Sequence, residues 1–152
     1  MSYRTKLGIA AVVAAAAVSS ACGGSSSPSG TLPPGYYITI TNMSFAPLNL
    51  SAPAGSTVTV INRDTMVHSV TQQAAAGAFT VGAPSGTTPF DTGLFAGTRT
   101  FTLPAGLADG TVLHYYCSNH TSTMVTPNGT ITIAAAAAPG PGIDPGGGGI
   151  GY

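Results

Sequence analysis

Between Ser56 and Asn62 the chain alternates, with Val58 and Val60 on one side and Thr57 and Thr59 on the other. A period of two residues is the mark of a strand with one buried face, whereas a helix would repeat every 3.6. Aromatic and β-branched residues are similarly dense in Tyr36–Thr41, Leu48–Leu50, Val67–Thr71, Thr98–Leu103, Thr111–Cys117 and Gly129–Ile133. Gly, Pro, Asn and Asp punctuate these runs, as strand ends require. No stretch of helical period and useful length lies among them. Residues 73–95, rich in Ala, Gly, Pro and Thr, carry no regular pattern. The expectation is an all-β domain of about seven short strands in an antiparallel β-sandwich.

Only 5% of the 152 residues are charged, against about 25% in ordinary soluble domains. Solvation must come from Ser, Thr, Asn and the backbone. The cations are Arg4, Lys6, Arg63 and Arg99; they form no cluster, which excludes nucleic acid as a partner. Two cysteines are too few for a disulfide scaffold.

The ends differ in kind from the middle. Arg4 and Lys6 precede a twelve-residue apolar run, Leu7–Val18, then Ser19, Ser20, Ala21 and Cys22. The run is shorter than the ~20 residues that span a bilayer. Residues 1–21 resemble a bacterial lipoprotein signal peptide, in which Cys22 is lipidated and becomes the new N-terminus. Ser19 and Ala21 also fit an ordinary cleavage site. Residues 22–34 read as a flexible tether, so the chain is expected at the extracytoplasmic face of the cell envelope, held to the membrane through Cys22. Loss of Arg4 and Lys6 would leave two cations against four aspartates, a net charge of about −2 and a weak field. Residues 135–152, rich in Ala, Pro and Gly, are expected to be a disordered tail. Residues 35–134 remain for the folded domain.

The chemistry concentrates in Tyr115-Tyr116-Cys117-Ser118-Asn119-His120-Thr121-Ser122-Thr123-Met124. Cys117 and His120 are three steps apart, at most ~10 Å even when extended, so a turn at a strand end can aim both at one point. Met124 follows on the same loop. Soft sulfur combined with imidazole suits copper, and two His, one Cys and a distant Met is the blue-copper donor set. His68 is the second imidazole, 49 residues before Cys117, and only folding could bring it in. His114, three residues before Cys117, should point to the opposite strand face, and Tyr115 should pack in the core beside Cys117. A disulfide between Cys22 and Cys117 would join the signal junction to a core strand and is rejected.

At this point the chain resembles the cupredoxins, the plastocyanin and azurin group of small blue-copper proteins. The resemblance covers about residues 36–134. It rests on Asn62-Arg63-Asp64-Thr65-Met66-Val67-His68-Ser69-Val70, on Phe101-Thr102-Leu103-Pro104-Ala105-Gly106, and on Tyr115-x-Cys117-x-x-His120 with Met124. It implies a Greek-key sandwich of about seven to eight strands holding one type 1 copper ion. His68, Cys117 and His120 would be equatorial ligands and Met124 the weak axial one. The N–H of Ser69 would reach the Cys117 sulfur. The implied function is one-electron transfer, with the His120 edge as the electron port and redox proteins of the cytochrome or oxidase type as partners of a monomer. No enzyme activity is expected. The alternative is a copper carrier using the same site. A cysteine hydrolase is disfavoured because the chain has no Glu and no orienting acid near His120. Three His in total cannot furnish a multicopper enzyme.

Overall fold

The computed structural model describes residues 32–83 and 86–142. The segments expected to be a signal peptide and tether, including Cys22 but not residues 32–34, and the chain beyond 142 lie outside the described residues. Among the described residues, nine strands form two packed sheets: β1 (Leu32–Ile40), β2 (Phe45–Ala46), β3 (Asn49–Ala52), β4 (Thr57–Asn62), β5 (Thr71–Gln72), β6 (Gly97–Thr102), β7 (Val112–Tyr116), β8 (Asn128–Ile133) and β9 (Gly140–Gly142). One sheet runs β2-β1-β4-β6, with β9 also on β1; the other runs β3-β8-β7-β5. This is the all-β Greek-key sandwich expected from the sequence.

The alternation is carried out as written. Val58 and Val60 are fully buried while Thr57 is exposed. Ile38, Ile40, Val58, Val60 and Phe101 from one sheet meet Ala52, Leu113, Tyr115, Ile131 and Ile133 from the other in a single core. Phe90 stacks on Phe101 at 4.4 Å and Phe45 meets Tyr115 edge-on at 5.0 Å between ring centroids. Burial of this apolar surface is the main force holding the sheets together.

Local readings are refined in three places. The ladders are mixed, because β1–β4 and β3–β8 pair in parallel. After β1 the chain visits the second sheet as β3, then re-enters the first beside β1 in the same direction. Residues 67–70, expected as strand, make only an isolated bridge, His68 with Phe95, before β5 pairs with β7 in the other sheet. The chain is crossing between sheets there. The third is a correction: residues 135–142 are not a structureless tail, since β9 pairs with Leu32 and Gly35 of β1 and the Tyr36 hydroxyl donates to the Ala137 carbonyl at 2.8 Å. Backbone pairing needs no side chain to bury, so a Gly-Pro-Gly run can add an edge. By the same pairing, the last tether residues, 32–34, belong to β1.

Candidate metal centre

Three segments converge at the end of the sandwich where β1, β4 and β7 finish. The crossover at 68 is clamped to the segment before β6 by reciprocal backbone bonds between His68 and Phe95, 3.1 and 2.9 Å. This delivers the His68 side chain into the gap between the sheets, where it has no exposure to solvent. Cys117 leaves β7 directly and is equally buried. The loop then winds tightly. The His120 N–H donates to the Cys117 carbonyl at 3.3 Å and the Met124 N–H to the His120 carbonyl at 3.2 Å. Steps of three and four residues around such a turn keep these side chains on one side of the loop. His120 is 6% exposed and Met124 is buried.

The Cys117 Sγ lies 3.6 Å from His68 Nδ1 and 3.5 Å from His120 Nδ1, and the two Nδ1 atoms are 3.2 Å apart. The point equidistant from all three lies about 2.0 Å from each, close to the ~2.0–2.3 Å at which imidazole nitrogen and thiolate sulfur bind a metal such as zinc. The residues therefore fit a single small ion, and no other His, Cys or Asp cluster of this kind occurs among the described residues. A thiolate with two imidazoles is soft enough for copper. His68, Cys117 and His120 form a candidate type 1 copper site. His114 lies outside the cluster, and Tyr115 packs in the core.

The surroundings hold these atoms in place. The Ser69 N–H donates to Cys117 Sγ at 3.4 Å. The Ser69 hydroxyl accepts the Ser118 N–H at 2.9 Å and lies 2.9 Å from the Thr71 hydroxyl, which donates to Asp91 at 2.8 Å. The segment carrying the first His and the segment carrying the Cys are thus stitched through one buried hydroxyl. Burial lowers the His68 pKa, with repulsion from His120 adding to it and the charge and hydrogen bond of Asp64 opposing it. The imidazole is accordingly biased to the neutral form a metal requires.

Asn62 and Asp64 stand beside His68, although in the sequence they figure only as part of the Asn62–Val70 segment, with no role of their own. Asp64 Oδ2 lies 3.1 Å from His68 Nε2. The available signal was a pair of short polar residues closing an apolar strand just ahead of the first His.

Among solved structures, the chain is similar to a purple cupredoxin from Nitrosopumilus maritimus, 24% identical, covering 65% of this chain and 99% of that one, with a TM-score of 0.49. An oxidised amicyanin variant is 18% identical over 66% of this chain and 82% of that one, TM-score 0.47. A pseudoazurin from Sinorhizobium is 24% identical over 65% and 72%, TM-score 0.47. No curated protein sequence matches the chain. The family model of the copper-binding proteins of the plastocyanin/azurin family matches residues 36–134, from the first core strand to the end of β8. That span encloses the whole donor triangle, its crossover and its ligand loop, and the chain belongs to the plastocyanin/azurin family of copper-binding proteins.

Proposed function

We propose that the protein is a one-electron carrier at the bacterial cell envelope, with one type 1 copper held by His68, Cys117 and His120 and weakly by Met124. The observation that carries this reading is the convergence of three buried donor atoms within 3.6 Å of one another. A bound copper ion supplies a couple between the cuprous and cupric states. The chain's part is to keep the donors still. His68 hangs from the crossover and Cys117 from the end of β7, both anchored to the common core, so a change in charge meets a framework that resists rearrangement. The N–H of Ser69 stabilises negative charge on the sulfur. Burial keeps water from the donors.

His120 is the more exposed of the two imidazoles and suits the electron port. Met66 and Val67 precede His68, Val125 follows Met124, and Leu94 precedes Phe95, the backbone partner of His68; all four are exposed. They offer an apolar rim for a redox protein partner of the cytochrome or oxidase type, with little charge to steer the encounter. The signal-like N-terminus supports export and a lipid anchor on Cys22. The protein is read as a monomer and as a carrier rather than a catalyst. A copper-delivery role for the same site is the second reading. It is less favoured, because the donors are buried and preset rather than open to a receiving partner.

Titration of the purified protein with Cu(II), followed by visible and EPR spectra, tests the proposal. One copper per chain with an intense thiolate-to-copper band is expected, and Cys117→Ser should abolish the band. Electron exchange should be fast. Metal content indifferent to Cys117→Ser would overturn the metal assignment, and transfer of Cu(I) to an acceptor without fast electron exchange would favour delivery.

A further inference from the structure

The His68 ring is gripped from behind by a carboxylate with several other obligations. Asp64 sits in the turn that leaves β4, and Asn62 builds that turn. The Asn62 Oδ1 accepts the Asp64 N–H at 3.0 Å, while its Nδ2 donates to the Met66 and Phe95 carbonyls at 2.8 and 3.1 Å. The Asp64 carboxylate accepts the Asn42 N–H on Oδ1 at 2.7 Å, and on Oδ2 both the Met43 N–H at 2.9 Å and His68 Nε2 at 3.1 Å. Asn42 and Met43 are the non-glycine residues with left-handed backbone among the described residues, φ 51° and 58°. Such conformations persist where the surroundings enforce them. The Met43 carbonyl in turn accepts the N–H of Val125 at 2.7 Å, the residue after Met124.

An ionised carboxylate can only accept a hydrogen bond, so the His68 proton belongs on Nε2, where Asp64 Oδ2 takes it at 3.1 Å, and Nδ1 is left free as a donor toward a metal.

We propose that Asp64 is a positioning residue of the copper site, whose carboxylate sets the tautomer and ring orientation of His68 and ties them to the turn that holds the Met124 segment. The inference rests on His68 being a ligand. A carboxylate is required because its two oxygens face three N–H donors. An amide offers a single acceptor oxygen and would turn its NH2 toward one of those donors. Partners of this kind behind a ligating His orient the ring and strengthen it as a donor.

The test uses the full chain as wild type, Asp64→Asn, Asp64→Ala and Asp64→Glu. In 15N NMR of the metal-free protein, His68 should carry its proton on Nε2 in wild type and lose that preference in Asp64→Ala. In competition titrations, Asp64→Asn and Asp64→Ala should bind copper about 10- to 100-fold more weakly, with Asp64→Glu recovering part of the loss. The reduction potential of Asp64→Asn should rise, since a negative charge that favours the cupric state is gone. Wild-type affinity, potential and tautomer in Asp64→Asn would overturn the proposal, as would an Nδ1–H tautomer of His68 in the wild type. The wild-type NMR result decides the matter even if Asp64→Ala fails to fold. A wild type that takes up no copper would defeat the ligand reading instead, while the tautomer measurement still reports on Asp64.

Discussion

His68 is the point where burial and metal chemistry meet. Its imidazole loses water and faces a second imidazole, so its pKa falls below the ordinary 6.5 although Asp64 pulls the other way. The unfolded chain therefore takes up a proton near pH 6.5 that the folded, metal-free chain declines. Stability rises with pH wherever the unfolded state binds more protons. The metal-free protein should thus be most stable above that pH and lose stability as the pH falls from 7.5 to 5.5, with His68→Gln flattening the slope. Thermal melts of both proteins across that range check it, and a wild-type melting temperature that climbs on acidification would contradict it. The ligand candidates were legible in the sequence because Cys117, His120 and Met124 lie within eight residues of one another. Asp64 was not, because its role depends on donors 21 and 22 residues away and on a ring placed by the crossover.

The β7–β8 hairpin shows how an element is tuned to the ligand loop. The two strands pair from Val112–Thr132 to Tyr116–Asn128, and Tyr115 lies opposite Gly129. The Tyr115 ring is fully buried, and burial raises the pKa of its hydroxyl well above the usual range. A Cβ on Gly129 would collide with that ring. Glycine is required there by close approach, a recognised use of glycine inside a strand. Gly129→Ala should cost about 1–3 kcal/mol by overpacking and disturb the loop between the two strands. Urea unfolding measures it, and a loss under about 0.5 kcal/mol, within the range of a neutral surface change, would remove the argument. The strands β4, β6, β7 and β8 were readable from alternation and turn residues alone. The segment 67–70 has the composition of a strand, yet crosses between sheets, because a bridge to Phe95 and a ladder to β7 draw it in different directions.

The molecule divides its two ends between different tasks. The donor triangle lies where β1 and β4 finish at Ile40 and Asn62, while β9 covers the start of β1 at Leu32 and Gly35. Five strand steps at about 3.3 Å each separate Gly35 from Ile40, about 17 Å. Truncation after Ala138 removes β9 and uncovers that edge. It should lower stability by about 1 kcal/mol, the scale of one or two net hydrogen bonds, and leave the copper spectrum unchanged. A shifted visible band in the truncated protein would mean that the two ends are coupled through the core.

Composition and local pattern were enough to specify an all-β domain and a sulfur-imidazole loop, because alternation and short spacing act within one strand or one turn. Folding in three dimensions supplied the parallel pairings, the ninth strand, the arrival of His68 beside Cys117 and the carboxylate behind it. Each of those joins segments far apart in the chain, and their meeting is governed by how two sheets share one core, a property that no single stretch of residues contains.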